Sequence, residues 1–335
     1  MEVVSICRGS RAPRKAGKAM DITSTRLDYF QNPNPKISKA HGGMLIWALI
    51  VGSSFLVVGL MSEGLPPLLL TAIRFLVAAI AMAPALLRGS STLPSLSAFG
   101  LYTGMGLCQA FFFGTMFWVA HDVSALSMST LFVAVPLLAF LLGRLFGVEN
   151  PSWKLPGILL LGALGALCIN LSTAPWQEAT AHFGKEEMVF FLGCISLGFY
   201  PVLSKFGLQH RLLSSRAEVR SFWSLAIGSI FLGVAGSMAE SPKGLLEATI
   251  ADFLALIYLG FFSSGLTFWL MERATSLLTP GSVMSYSYLV PLVSLIAVMN
   301  FQIMGELWIP GSIMVILTIY LLQKHFNTLN EDKRP

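Results

Sequence analysis

Residues 44–61 read MLIWALIVGSSFLVVGLM and contain no charged side chain. An uncharged apolar run of about 18 or more residues is long enough to cross the roughly 30 Å hydrocarbon core of a bilayer as a helix. The pattern recurs along the chain, since residues 91–121 also lack Asp, Glu, Lys and Arg. Charged residues make up 12% of the sequence, whereas soluble domains carry about 25%. The sequence therefore predicts an integral membrane protein.

Hydropathy divides the chain into ten apolar segments separated by short loops that carry turn residues. Lipid offers no hydrogen-bond partner to the backbone, so uncharged spans of this length must be helices. Strands of a membrane barrel would be shorter and would alternate apolar with polar residues. The predicted fold is all-α with ten transmembrane helices. They cover approximately residues 44–61, 66–87, 97–118, 124–147, 155–172, 187–205, 219–239, 252–271, 277–299 and 309–326.

Lys and Arg are concentrated in alternate loops, and this bias orients the predicted helices. With a cytoplasmic N-terminus, nineteen of the 22 Lys and Arg residues lie in cytoplasmic segments. Lys185 and Lys243 lie outside, and Arg74 lies within the second span. Because cytoplasmic loops carry an excess of positive charge, we predict a multi-pass inner-membrane protein with both termini in the cytoplasm. The same loops explain the formal charge of +5 without nucleic-acid binding.

The two halves of the chain share an ordered series of residues. Each series begins with Ala, reaches a Pro within an apolar span, continues to a Glu in the next loop and ends at Pro-Gly. The residues are Ala120, Pro136, Glu149 and Pro156-Gly157, then Ala274, Pro291, Glu306 and Pro310-Gly311. Five spans in each half, an odd number, give the halves opposite orientations. We predict two inverted five-helix repeats around a central cavity, a recurrent plan among transporters.

The predicted segments are a basic cytoplasmic tail (1–43), the first repeat (44–172), a linker (173–186), the second repeat (187–326) and a second cytoplasmic tail (327–335). The first tail lacks the apolar core of a secretory signal peptide, so we expect no cleavage. Its Arg-rich, acid-poor composition also fits an organellar presequence. Met20 is an alternative start to Met1.

Several short motifs occur in the same order as in a known family. They are VGSSF (51–55), Pro66-Pro67, AIRFLVAA (72–79), YLGFFSSGL (258–266), ERA (272–274), SYSYLVP (285–291) and Gly305-Glu306. Over residues 44–326 the chain resembles the EamA-type branch of the drug/metabolite transporter superfamily. The resemblance implies ten helices, cytoplasmic termini, a central cavity and the transport of amino acids, their derivatives or other small polar metabolites. The chain departs from the family at Val51, where a Trp often stands; its Trp47 lies one helical turn earlier.

Arg74 and Gln109 are the strongest candidates for substrate contact. A charged Arg near a helix centre costs about 2.5–3.5 kcal/mol on insertion scales, so Arg74 must face protein or a water-filled cavity. It either anchors a substrate carboxylate or bonds backbone carbonyls. Gln109 lies deep in the third span on one helical face with Tyr102. An unpaired amide is costly in hydrocarbon, so Gln109 contacts either substrate or another helix.

Further aromatic residues lie at a suitable depth in the second half. The candidates are Tyr200, Trp223, Trp269 and Tyr286. Trp and Tyr are also ordinary residues of the membrane interface. Tyr286 and Tyr288 are about 200° apart around an α-helix, so at most one of them points into a single cavity. We also predict hinges at Pro136, Pro201 and Pro291, because a Pro inside a helix removes a backbone hydrogen bond and bends or breaks it; static kinks are the alternative.

The sequence also excludes some chemistry. Asp and Glu fall in loops or at span ends, Glu272 among them, which predicts weak or absent coupling through a buried carboxylate. We find no nucleophile motif, phosphate loop or metal-ligand spacing, so we predict neither an enzyme nor a cofactor. The predicted function is a monomeric carrier in the lipid bilayer that exports small polar or zwitterionic metabolites by alternating access. Alternatives are a carrier of nucleotide sugars or drug-like compounds, a membrane enzyme, or a non-transporting partner protein.

Overall fold

A computed structural model describes residues 35–86, 93–120, 122–149, 152–173, 184–298 and 305–331. Within these ranges the regular structure is entirely helical, which confirms the predicted all-α membrane fold. The predicted tail over 1–43 lies outside them as far as residue 34. Most of the linker over 173–186 and the last four residues of the chain also lie outside them.

The described helices differ from the predicted spans mainly in the second half, where several are interrupted. They are α1 (Pro35–Gly59), α2 (Pro67–Leu86), α3 (Leu96–Val119), α4 (Ala125–Phe132), α5 (Val135–Leu145), α6 (Lys154–Thr173), α7 (Lys185–Gln209), α8 (Ala217–Ala239), α9 (Ile250–Tyr258), α10 (Thr267–Leu277), α11 (Pro280–Met284), α12 (Leu289–Val298) and α13 (Trp308–Glu331). A π-helical segment, Leu259–Leu266, joins α9 to α10. A short 3₁₀ turn, Ser285–Tyr288, joins α11 to α12.

Nine helices in the described ranges are long and apolar enough to span a membrane. One of them combines α4 with α5, and another combines α9, the π segment and α10. A further apolar stretch, Pro280–Ile296, is shorter. The chain is therefore a multi-pass membrane protein, and the tenth span stays a prediction.

Helix contacts between the two halves come in matched pairs. The contact of α3 with α7 corresponds to that of α10 with α1. The contact of α3 with α8 corresponds to that of the π segment with α2. α5 likewise contacts α7 as α12 contacts α1. Between these pairs, α2 lies along α8 and α6 lies along α13. The contact pattern is therefore almost unchanged when the first-half helices are exchanged for the second-half helices.

Small residues bring the helix backbones of opposite halves close together. A Cβ atom added at Gly106 of α3 would lie 2.9 Å from the backbone nitrogen of Gly228 on α8. Gly165 of α6 and Gly311 of α13 approach each other in the same way, with a Cβ–carbonyl distance of 2.8 Å. Such contacts are typical of membrane helices, where close van der Waals packing replaces the hydrophobic drive for association.

The three candidate hinge prolines lie in different backbone environments. Pro136 is near the start of α5, directly after the break between α4 and α5. Pro291 lies in α12, shortly after the 3₁₀ turn. Pro201 lies inside α7, which runs without interruption from Lys185 to Gln209, so the hinge at Pro201 stays a prediction. The loss of one backbone hydrogen bond at Pro201 leaves the surrounding turns of α7 intact.

Candidate functional site

Arg74 on α2 is held by the π segment of the second half. Its Nε atom donates to the Ser264 hydroxyl at 2.6 Å. Its Nη2 atom donates to the Ser263 hydroxyl at 2.8 Å and to the Ser263 carbonyl at 3.3 Å. These partners are neutral, and no residue in the described part of the chain forms an ion pair with the half-buried guanidinium. These contacts fit both alternatives for Arg74. It bonds a backbone carbonyl, as a structural arginine would, and it has no counter-charge among the described residues, as a substrate anchor would require.

The π segment explains why these acceptors are available. A π-helix shifts the backbone hydrogen bonds by one residue and is frequent at functional sites. The Thr267 hydroxyl donates to the Ser263 carbonyl at 2.6 Å and to the Ser264 carbonyl at 3.1 Å, at the junction with α10. Gly260 permits the close approach of α2, because a Cβ there would lie 3.1 Å from the Arg74 carbonyl.

Gln109 is fully buried between α3 and α8. Neither its Nε2 nor its Oε1 atom has a hydrogen-bond partner within the described part of the chain. A Cβ atom at Gly228 would lie 3.3 Å from Gln109 Oε1 and 3.2 Å from the Phe75 ring. Desolvation of a buried polar group that has no partner destabilises the folded protein by about 1–3 kcal/mol. Gln109 thus offers a donor and an acceptor at the centre of the bundle.

Three predicted aromatic residues surround the same helix interface. The Tyr102 ring stacks on Trp223, with centroids 6.4 Å apart, and its hydroxyl accepts from the Ser214 backbone at 3.4 Å. The Tyr200 hydroxyl and Ser224 hydroxyl lie 3.2 Å apart. The Trp223 indole nitrogen, like Gln109, has no partner among the described residues. The structure therefore brings Tyr102, Tyr200 and Trp223 together on α3, α7 and α8.

A cluster of phenylalanine rings joins α2, α3 and α10. Phe75 makes edge contacts with Phe113 at 5.4 Å and with Phe268 at 5.9 Å between ring centroids. Phe268 in turn contacts Tyr200 at 5.6 Å. Arg74 directly precedes Phe75 in α2, and its guanidinium bonds to the serines of the π segment.

A buried ion pair lies next to this cluster. Arg220 Nε on α8 donates to Glu272 Oε2 on α10 at 2.5 Å, and neither side chain is exposed. Arg220 also donates to the Ser214 carbonyl and the Glu272 carbonyl, each at 2.6 Å. The Ser204 hydroxyl of α7 donates to the same Glu272 oxygen at 2.7 Å. The pair joins three helices and cancels its own charge.

The expectation that Glu272 lies at a span end is therefore wrong. α10 continues to Leu277, and Glu272 is fully buried within it. Arg220, which the charge count assigns to the cytoplasmic side, lies in the first turn of α8 and is also fully buried. The sequence does show that both residues stand within a few residues of a predicted span boundary. Each could therefore pair with a charge of opposite sign. The sequence could not indicate which charges meet.

Trp269 of α10 contacts the first turn of α8. Its indole nitrogen donates to Glu218 Oε1 at 3.1 Å. Together the two residues border an open pocket of about 340 Å³ between α2, α8 and α10. Four residues of α2 form the opposite wall; they are Ala81, Met82, Pro84 and Ala85. Glu218 was not predicted as a site residue.

Tyr286 lies apart from the other candidates. Its hydroxyl is 2.7 Å from Nδ1 of the buried His41, which places it between the 3₁₀ turn and α1. Tyr288 is also buried, against Gly162 of α6, and its hydroxyl has no partner among the described residues. The 3₁₀ geometry directs the two tyrosines to different neighbours, as the spacing argument requires. Within the described ranges, no group of three His, Cys, Asp or Glu residues is placed to hold a metal.

Many apolar helices around a buried polar centre define a polytopic membrane protein. The sequence model of the EamA-like transporter family matches residues 38–171 and 184–323, more than half of the chain. The chain belongs to this family of membrane transporters, as the motif order predicted. One match falls on each half of the chain.

The relatives support the same assignment. The "Uncharacterized inner membrane transporter YedA" of Escherichia coli (strain K12) is 27% identical over 262 residues, which cover 76% of this chain and 80% of that protein. An "Uncharacterized transporter" of Archaeoglobus fulgidus is 29% identical over 301 residues, 85% of this chain and 97% of that one. A solved crystal structure with 18% sequence identity covers 87% of this chain and 99% of its own, with a TM-score of 0.69, and so has the same fold. The chain is therefore a multi-pass inner-membrane transporter.

Proposed function

We propose that this transporter moves small zwitterionic metabolites, amino acids or compounds derived from them, out of the cytoplasm by alternating access. The observation that carries the proposal is that, among the described residues, Arg74 has no counter-charge and the buried amide of Gln109 has no hydrogen-bond partner. A guanidinium complements a carboxylate, and an amide complements both donors and acceptors of a polar molecule.

Charge counting favours a zwitterion over a polyanion. Arg220 is neutralised by Glu272, so it is unavailable to a ligand in this arrangement. Arg74 then supplies the unpaired positive charge at the centre of the described bundle. A nucleotide sugar or sugar phosphate carries more than one negative charge and calls for several such cations. Tyr102, Tyr200 and Trp223 add aromatic surface and hydroxyl groups suited to a small, mostly neutral molecule.

Alternating access fits the closed centre of the bundle. Gln109 is fully buried, and the rings of Phe75, Phe113 and Phe268 pack against one another across α2, α3 and α10. A ligand reaches Gln109 only if α2, α8 and the π segment separate. The matched helix contacts of the two halves, together with the double family match, support inverted repeats that exchange roles during such a movement. Pro136 and Pro291, at interruptions of equivalent spans, are the proposed hinges.

Orientation, oligomeric state and coupling complete the proposal. The distribution of Lys and Arg supports cytoplasmic termini, and we propose that the transporter acts as a monomer. Oε2 of the buried Glu272 accepts from Arg220 and Ser204, while Oε1 has no partner among the described residues. Because its charge is paired with Arg220, we assign Glu272 to the scaffold and not to proton coupling.

Flux measurements in vesicles test the substrate class. Inside-out membrane vesicles that contain the transporter should accumulate labelled amino acids above the level of vesicles without it. A labelled sugar phosphate should not accumulate. Flux of the phosphate ester without flux of any amino acid would contradict the zwitterion assignment and favour the alternative carrier class.

A further inference from the structure

Helices α2 and α8 belong to opposite halves of the chain and pack against each other along the bundle. Near the middle of the pair, the Ser229 hydroxyl of α8 donates to the Ala72 carbonyl of α2 at 2.8 Å. Arg74 lies on α2, and the Gln109 amide lies against α8, where a Cβ atom at Gly228 would be 3.3 Å from its Oε1 atom. Separation of α2 from α8 would therefore open the proposed substrate site.

The beginning of α2 is held by Glu240, the residue directly after α8. Glu240 Oε1 accepts from the Leu68 backbone nitrogen at 2.8 Å, and Oε2 accepts from the Leu69 nitrogen at 3.0 Å. The first N–H groups of a helix lack partners within the helix and carry partial positive charge, which a carboxylate complements. Asp252 of α9 adds a contact at this face, because its carboxylate accepts from the backbone and hydroxyl of Ser62, in the loop before α2. We call the Glu240 contact the outer clasp, after the predicted orientation.

The other end of α2 is held by Arg216, the residue directly before α8. Its Nη2 atom donates to the Ala85 carbonyl, in the last turn of α2. The last carbonyls of a helix lack partners within the helix and carry partial negative charge, which a guanidinium complements. We call this contact the inner clasp. The two clasps place opposite charges at the two ends of one helix, each with the sign that the helix dipole favours.

Arg74 lies between the two clasps. Along the axis of α2 it stands about 8 Å from Leu69 at the outer clasp and about 17 Å from Ala85 at the inner clasp. If one clasp opens while the other stays closed, α2 separates from α8 at one end only. The substrate site is then reached from one side of the membrane, as alternating access requires.

We propose that the outer and inner clasps open alternately and so determine the side of the membrane from which the substrate site is reached. The inference rests on the alternating-access part of the proposed function and does not depend on the identity of the cargo. It makes Glu240 and Arg216 positioning residues for transport, because they act through α2 and not through contact with the substrate.

The accessibility of a cysteine at the buried site tests the clasps without any transport measurement. Gln109→Cys is introduced into the full-length chain with its four native cysteines replaced by serine. A membrane-impermeant trimethylammonium methanethiosulfonate is then applied to right-side-out and inside-out vesicles. Glu240→Gln loses the charge and one of two acceptors, so labelling from the outer side should rise about fivefold, which corresponds to about 1 kcal/mol. Arg216→Gln should raise labelling from the cytoplasmic side by a similar factor, and neither variant should raise it from the opposite side.

Two exposed residues provide matched controls. Glu247→Gln, on the turn after α8, and Arg144→Gln, in the last turn of α5, remove the same charges away from α2 and should label like the parent. Lys243→Cys, on the same exposed turn as Glu247, identifies the side of the membrane that the outer clasp faces.

The outcomes separate this inference from the proposed cargo. Labelling of the clasp variants that equals the controls, or that rises from both sides or from the wrong side, would overturn the alternating clasps whatever the flux data show. Side-specific labelling without amino-acid flux in the chain that retains Gln109 would leave the clasps standing and contradict the cargo. If a glutamine variant does not yield folded protein, Glu240→Asp or Arg216→Lys provides the test, because each keeps the charge and disturbs the contact; the absence of a side-specific rise there would also overturn the clasps.

Discussion

Arg74 and Arg220 are two arginines inside the same membrane bundle with opposite surroundings. Arg220 is fully buried, and its charge is cancelled by Glu272. Arg74 is half-buried, and its described partners are two serine hydroxyls and a carbonyl. Burial of an unpaired charge is expensive, whereas a paired charge is tolerated when its hydrogen bonds are satisfied. The difference assigns Arg220 to the scaffold and Arg74 to the proposed function.

The largest effect is expected when the scaffold pair is broken. Glu272→Gln leaves Arg220 buried without a counter-charge, which costs about 3–5 kcal/mol. We expect a strong loss of folded protein and a large fall in Tm, measured by thermal unfolding in detergent.

A double variant separates the charge from the packing. Arg220→Met combined with Glu272→Leu removes both charges and should recover most of the lost stability, since apolar replacements of buried pairs are often neutral. A double variant as unstable as Glu272→Gln would show that hydrogen bonds to Ser204 and Ser214, not charge cancellation, maintain this region.

Removal of the Arg74 cation should affect transport and not folding. Arg74→Gln also removes the insertion cost of about 2.5–3.5 kcal/mol, so the protein should insert at wild-type levels. Loss of a charged hydrogen bond of about 2 kcal/mol to the substrate corresponds to a roughly 30-fold fall in flux. Vesicle flux normalised to folded protein measures this, with Lys243→Gln in an exposed turn as the control. Unfolding of Arg74→Gln would instead make Arg74 a second scaffold residue.

Much of this contrast was accessible from the sequence, and the reasons are physical. Arg74 is the single charged residue of an otherwise uncharged span, so the hydropathy pattern alone indicates that its insertion into the membrane costs free energy and that it is a candidate functional residue. Arg220 and Glu272 are 52 residues apart, and each lies near a predicted span boundary, where charge is unremarkable. Their pairing depends on how α8 packs against α10. The π segment is equally hidden, because YLGFFSSGL has the composition of an ordinary apolar helix.

The unpartnered amide should contribute to transport without stabilising the fold. Gln109→Leu removes a buried polar group whose bonds are unmade, so the stability should be unchanged or should rise by up to about 1 kcal/mol. Flux should fall about tenfold if one hydrogen bond to the substrate, about 1.4 kcal/mol, is lost. A fall in Tm together with unchanged flux would place Gln109 in the scaffold beside Arg220.

The smallest effect is expected at Tyr286. Tyr286→Phe removes the contact with His41, a hydrogen bond worth about 1 kcal/mol. Because Tyr286 lies away from Arg74 and Gln109, we expect a small fall in Tm and flux close to that of the wild type. Normal stability with a large loss of flux would restore Tyr286 to the substrate site that its sequence position suggested.

Competition between an amino acid and its decarboxylated amine tests most directly whether Arg74 binds the carboxylate of the substrate. In vesicles, flux of a labelled amino acid should be inhibited far more strongly by an unlabelled amino acid than by its decarboxylated amine. In Arg74→Gln the residual flux should lose this preference, because the guanidinium that distinguishes the two competitors is gone. If Arg74→Gln keeps the wild-type preference for the carboxylate, Arg74 does not bind the cargo and the contrast with Arg220 fails.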